Sequence, residues 1–121
     1  MIISNIGKFR PEIEKEIEDR GYHILNQSLP SNSYPNKFPK FKKLDEIKIG
    51  KIYTIRLFIR ITNSRYPTID SGLVDIKITR KTKDNYIGEI LTLLPDSFPL
   101  TKGQSINLKK EEILYEQINY N

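Results

Sequence analysis

The chain contains one histidine, His23, and no cysteine. Proton transfer and nucleophilic attack near neutral pH draw first on those two residue types. With a single histidine and no motif around it, neither a Ser-His-Asp nor a Cys-His constellation can be assembled. The absence of cysteine removes disulfides, thiolate nucleophiles and Cys-based zinc sites. His23 follows a helical pattern directly, a position that suits a surface or capping residue. The carboxylates offer two further possibilities. Glu12, Glu16 and Asp19 recur at helical spacing and could crowd around a hard cation. With Lys15 and Arg20 beside them they read more simply as solvated helix acids. Glu111 and Glu112 are adjacent, and neighbouring side chains on a strand point to opposite faces, so they do not converge as an acid–base pair. The six glycines are isolated, and none belongs to a phosphate-cradling loop. No catalytic residue and no metal ligand is assigned, and no small-molecule cofactor is expected.

One constellation remains. The stretch "NKFPKFKKL" interleaves Lys37, Lys40, Lys42 and Lys43 with Phe38 and Phe41, and Tyr34 lies just upstream. On the strand pattern that follows, Arg56, Phe58 and Arg60 share one face. Cations with aromatic platforms suit single-stranded nucleic acid, the cations for phosphates and the rings for bases. The same residue types suit an acidic protein surface, with aromatic anchors and a basic rim. Both partners stay open at this level. A packing role also stays open. Phe38 and Phe41 would then cover the end of a barrel, the lysines would be solvated, and an N-terminal helix would lie over Phe58.

Three kinds of segment must position these residues. "RPEIEKEIEDRG" predicts a helix over residues 10–21, with Pro11 at its first position and Gly21 as its stop. Its acids crowd the early turns, and Phe9, Ile13 and Ile17 form a narrow apolar stripe. Residues 26–46 carry Pro30, Pro35 and Pro39 and keep neither apolar period, so they read as a loop or linker. From residue 50 onward the period is two. "KIYTIRLFIRIT" (Lys51–Thr62) puts Ile55, Leu57, Ile59 and Ile61 on one face. "GLVDIKIT" (Gly72–Thr79) puts Val74, Ile76 and Ile78 inward. "KTKDN" is a turn into "YIGEILTLL" (Tyr86–Leu94), and "SINLK" (Ser105–Lys109) and "ILYEQI" (Ile113–Ile118) add two short strands. Gly88 inside a strand predicts a bulge or a close approach. Gly50, Gly72 and Gly103 read as turn residues before strands.

The expected fold is therefore α+β: a small, mainly antiparallel β-barrel or curled sheet of about five strands with an N-terminal helix. At 121 residues a single domain is expected. Residues 1–25 would form its helical segment, 26–48 a Pro/Lys/aromatic linker or loop, and 49–121 the barrel-like core. The net charge of +5 is not spread evenly. Residues 31–60 hold eight Lys/Arg against two Asp/Glu, a net +6, while the other three quarters of the chain each lie between −1 and +1. A local excess of this kind steers acidic partners. The N-terminus shows no apolar h-region, and no run approaches a membrane span. A cytoplasmic protein with no membrane partner is expected, and the Lys/Ile/Asn bias fits a bacterial or phage genome.

From Val74 onward the chain resembles the small YegJ-like bacterial domain of unknown function. The residues that carry the likeness are "VDIKIT", "DNYIGEI", a Pro-containing connection, and "KGQSINLKKEEILYEQ". "YTIRLFIRIT" would supply the preceding strand. The likeness covers about half the chain. Gln104 stands where that family often has an acid, and the chain has no Trp for the closing strand. The resemblance implies a strand–turn–strand frame and no reaction. The expected function is a non-catalytic protein-interaction module of the inhibitor or immunity type. A nucleic-acid-binding barrel is the alternative.

Overall fold

The computed structural model describes residues 2–3, 9–35, 37–61, 68–96 and 98–118. In chain order these form β1 (Ile2–Ile3), α1 (Pro11–Arg20), β2 (Tyr22–Ile24), β3 (Ile52–Ile61), β4 (Thr68–Lys81), β5 (Tyr86–Ile90), β6 (Ser105–Leu108) and β7 (Tyr115–Glu116). Single 3-10 turns lie at Ser31–Ser33 and Lys110–Glu112. The main sheet runs β2-β3-β4-β5-β6, antiparallel throughout, and curls into a half-barrel. β1 pairs with β4, and β7 pairs with β3. The α+β class read from the sequence is the class observed. Among the described residues no helix is long and apolar enough to cross a membrane.

The helix follows its sequence signals. Pro11 opens it, and Gly21 closes it at φ +92°, donating its N–H to the Ile17 carbonyl at 2.9 Å. Phe9, Ile13 and Ile17 are all buried. The chain then enters β2 at once, an element that three residues of unremarkable pattern did not announce. Tyr22, His23 and Ile24 pair with Ile59, Phe58 and Leu57.

β3 and β4 carry the structure. β3 pairs along its whole length, from Ile52 against Lys77 to Ile61 against Thr68. Its alternation gives the sheet two cores. The inner one gathers Tyr53, Ile55 and Leu57 with Val74, Ile76 and Ile78, and is closed by Ile90, Ile106 and Leu108. The outer one gathers Phe9, Ile13 and Ile17 against Phe58, Ile69 and Leu114. The expected linker is part of both. Leu29, Tyr34 and Phe38 pack on the outer core, and Leu44 and Ile47 on the inner.

Several boundaries differ from expectation. β4 begins at Thr68 and runs through Gly72, which is therefore a strand residue and not a turn. Gly50 and Gly103 do take positive φ at turns. The strand expected to reach Leu94 stops at Ile90, where the Gly103 N–H reaches the Ile90 carbonyl. The closing strand, expected over Ile113–Ile118, shrinks to Tyr115–Glu116, and Ile113 instead donates its N–H back to the Lys110 carbonyl of the preceding 3-10 turn at 3.2 Å. Thr62 and the side chain of Ile61 lie outside the described residues.

Gly88 answers both of its alternatives. The β4–β5 register shifts between Ile78 and Arg80, leaving Thr79 as the bulged residue beside Gly88. A Cβ on Gly88 would also sit 2.9 Å from Leu108 Cδ1 and 3.0 Å from Ile76 Cδ1, inside the inner core. We therefore expect Gly88→Ala to destabilise the fold by about 1–3 kcal/mol through overpacking. Urea unfolding should show a lower midpoint at an unchanged slope. A midpoint equal to wild type would mean that the inner core is looser than described.

Candidate functional site

The ten residues of the basic-aromatic constellation divide into two groups. Phe58 and Tyr34 are core residues, at 0% and 8% exposure. Their rings stack at 5.4 Å between centroids and 18° between planes, and Phe9 meets Phe58 edge-on at 5.5 Å. As stacking platforms for a partner they are therefore unavailable. Alternation along β3 correctly separates Phe58 from the inner core, but it does not say that α1 and the Leu25–Phe38 segment cover it. Arg60 and Lys42 line neither of the pockets described next. Arg60 Nε is buried without a hydrogen-bond partner among the described residues. Arg56 is half-buried and stacks over Phe38, with its guanidinium carbon 5.0 Å from the ring centroid.

The remaining residues frame a groove of two adjoining pockets. The first, about 310 Å³, is floored by Leu25, Leu29 and Tyr34 and rimmed by Lys37, Phe38 and Lys40. The second, about 260 Å³, lies between Phe41, Leu44 and Ile113, with Lys40, Lys43, Lys110 and Glu111 around it. Gln27 and Lys40 belong to both. Gln27 is held by two hydrogen bonds. Its Oε1 accepts the Phe41 N–H at 2.8 Å, and its own N–H donates to the Glu111 carbonyl at 3.1 Å. Phe41 leans on Tyr115 with centroids 4.9 Å apart, and Lys110 Nζ donates to the Asp45 carbonyl at 3.2 Å. The groove is apolar below and cationic above, a combination that suits an anion with an apolar body.

A buried polar chain braces the first pocket, and here the reading of His23 needs correction. His23 lies in β2 and is 4% exposed, neither a surface nor a capping residue. Its Nε2 is 2.7 Å from Tyr34 Oη, which also accepts the Asn26 N–H at 3.0 Å. Glu16 Oε1, 3.4 Å from Nδ1, can only accept, so the neutral ring carries its proton on Nδ1 and Nε2 accepts the Tyr34 hydroxyl proton. His23 is thus assigned as the Nδ1–H tautomer. Arg20 binds the same carboxylate oxygen. Burial lowers the His23 pKa against the opposing pull of Glu16, and burial raises Tyr34 to about 12. The pair is therefore neutral and locked, which anchors the 26–34 segment to α1 and β2. Only the tyrosine of this chain figured in the sequence-derived site, since Glu16, His23 and Tyr34 lie on three different elements and are brought together by tertiary packing alone.

The acids also find places. Glu16 serves Arg20 and His23, and Glu12 pairs with Arg10 at 3.2 Å. Glu112 Oε1 accepts the Lys109 N–H at 2.7 Å, and burial raises its carboxyl above the ordinary range. Among the described residues no group of three His, Asp or Glu side chains is arranged to hold a metal ion. Comparison of the chain with protein-family models, curated proteins and solved structures finds no match in any of the three.

Two measurements test this assignment of roles. Phe58→Ala should cost about 3–5 kcal/mol of stability, as a buried aromatic does. Phe41→Ala should cost less than about 1 kcal/mol, as an exposed side chain does. Similar losses for both would contradict the division into core and groove. The second test uses pH. His23 binds its proton less readily in the folded state than in the unfolded chain, where its value is 6.5. Stability should thus fall as pH drops below 6.5, with a slope no steeper than about 1.4 kcal/mol per pH unit. Glu112 acts in the opposite sense near the carboxylate range, because its folded value is raised. Subtracting the profile of His23→Gln between pH 7.5 and 5.5 removes that contribution. Parallel profiles would mean that His23 is not held neutral.

Proposed function

We propose that the protein is a non-catalytic interaction module, of the inhibitor or immunity type, that receives an acidic surface of a partner protein in the Gln27–Lys40 groove. The observation that supports this most is the pairing of two apolar pockets with a rim of four lysines, Lys37, Lys40, Lys43 and Lys110. Protein partners supply large side chains for such pockets and carboxylates for such a rim. A strand of nucleic acid needs open ring faces instead. Phe58 and Tyr34 are buried, Phe38 carries Arg56 on one face, and Phe41 leans on Tyr115. The remaining open ring area is small for a row of bases. The resemblance of the chain from Val74 onward to YegJ-like domains takes in Lys110, Glu111 and Ile113 of the second pocket and brings no reaction with it.

The local charge of +6 favours the nucleic-acid reading in one respect, and salt separates the two. We expect a labelled dT oligonucleotide to show no binding at physiological salt. A partner recovered from the native host and then purified should bind the wild type at least about tenfold more tightly than a Lys40→Glu/Lys42→Glu/Lys43→Glu variant. Oligonucleotide binding that weakens linearly in log–log salt plots, and vanishes in the same variant, would replace the protein partner with nucleic acid.

A further inference from the structure

The groove's internal geometry says more about the partner than its charge does. Gln27, common to the lining of both pockets, carries a side-chain amide with one half spent. The Phe41 N–H donates to Gln27 Oε1, which fixes the orientation of that side-chain amide. The NH2 of the same amide has no hydrogen-bond partner among the described residues, and Gln27 lines both pockets. An occupant that fills both pockets must therefore cross an amide donor. A hydrocarbon chain laid over that donor would desolvate it without return. A peptide backbone brings a carbonyl to it.

The spacing of the pockets follows from the chain that borders them. Lys37–Lys40 borders the first, and Lys40–Leu44 the second. From Lys37 to Leu44 the backbone makes no helix, turn or ladder, and Pro39 holds Phe38 towards extended geometry. The midpoints of those two borders are three to four residues apart in the chain, a span of about 10–13 Å at the extended rise of about 3.3 Å per residue, and this serves as the ruler for an occupant lying alongside. In an extended ligand, same-face side chains recur every second residue. Positions i and i+4 span about 13 Å and match, while i and i+2 span about 7 Å and fall short. Lys37, Lys40 and Lys43 have no acidic partner among the described residues, so carboxylates flanking the two anchors meet uncommitted charges.

We propose that the groove binds an extended acidic peptide segment of a partner protein that places two large apolar side chains, four residues apart, into the two pockets, with a backbone carbonyl on the Gln27 amide between them. This rests on the acidic-docking reading above and adds the extended form and the two-anchor spacing.

A fluorescein-labelled heptapeptide, Glu-Leu-Glu-Thr-Asp-Leu-Glu, is the direct probe, read by anisotropy. Four comparison ligands accompany it: an isomer with adjacent leucines, a Leu-to-Ala version, a version with lysine for each acid, and a dT oligonucleotide. We expect the spaced peptide to bind at least about tenfold more tightly than the isomer, the alanine version and the lysine version. The exposed substitution Lys43→Glu, with an unchanged urea midpoint, should weaken it by a similar factor. On binding, the amides of residues 37–44 should gain protection from hydrogen exchange. If the isomer binds as well as the spaced peptide, the two-anchor spacing is wrong while acidic docking survives. If no acidic peptide binds, the docking reading falls with it. If the oligonucleotide binds through Lys43 and the peptide does not, the groove is a nucleic-acid site. Self-association of the free chain through a Lys43-sensitive contact would make a second copy the occupant and overturn the proposal.

Discussion

Phe58 must be buried, and much of the molecule is arranged to bury it. It stands on the outer face of the central strand, whose inner face already belongs to the half-barrel through Ile55 and Leu57. A sheet of this size can leave its outer face to water when that face is polar. Here Phe58 and Ile69 make it apolar, so a second layer is needed. Helix α1 supplies Ile13 and Ile17, and the proline-bearing segment supplies Leu29, Tyr34 and Phe38. A short helix with a narrow stripe could not cover the strand unaided. The loop completes the layer, and that is why it holds a defined path.

The polar chain from Asn26 through Tyr34 and His23 to Glu16 follows from the same requirement. Covering an apolar face with loop backbone brings polar groups into a dry environment, and each must be satisfied there. Tyr34 meets two of those demands with one hydroxyl. It accepts the Asn26 N–H and donates to His23, which in turn faces a carboxylate held by Arg20. The same residues thus close the outer core both by hydrogen bonds and by ring contacts, His23 and Tyr34 each lying against Phe58.

The legible and illegible parts of this fold differ in the range of the forces behind them. Period-two alternation located β3, β4 and the hairpin because each strand's faces are set by local geometry and burial. Gly21 and Gly88 could be interpreted because a left-handed cap and a crowded core each demand a missing side chain. β2 escaped notice because three residues carry no period, and its pairing with Leu57–Ile59 is a tertiary fact. His23 was misplaced for the same reason. In the basic-aromatic stretch, the residue types indicated a surface, and the lysines do lie on one. Which aromatic rings turned inward depended on an uncovered Phe58, which no local window contains.

Phe38 and Leu29 face the outer core on one side and line or border the groove on the other, while Lys37, Lys40 and Lys43 of the rim make no ion pair among the described residues. Under the proposed docking, affinity and stability would be written into different residues of one segment. Exchanging the charges at Lys37, Lys40 and Lys43 would alter what the groove accepts at little cost to folding, because all three are exposed, whereas exchanging its floor would alter both at once. A lineage carrying this scaffold could then change partners by drifting at three solvated positions, with the aromatic floor held in place by the needs of the core.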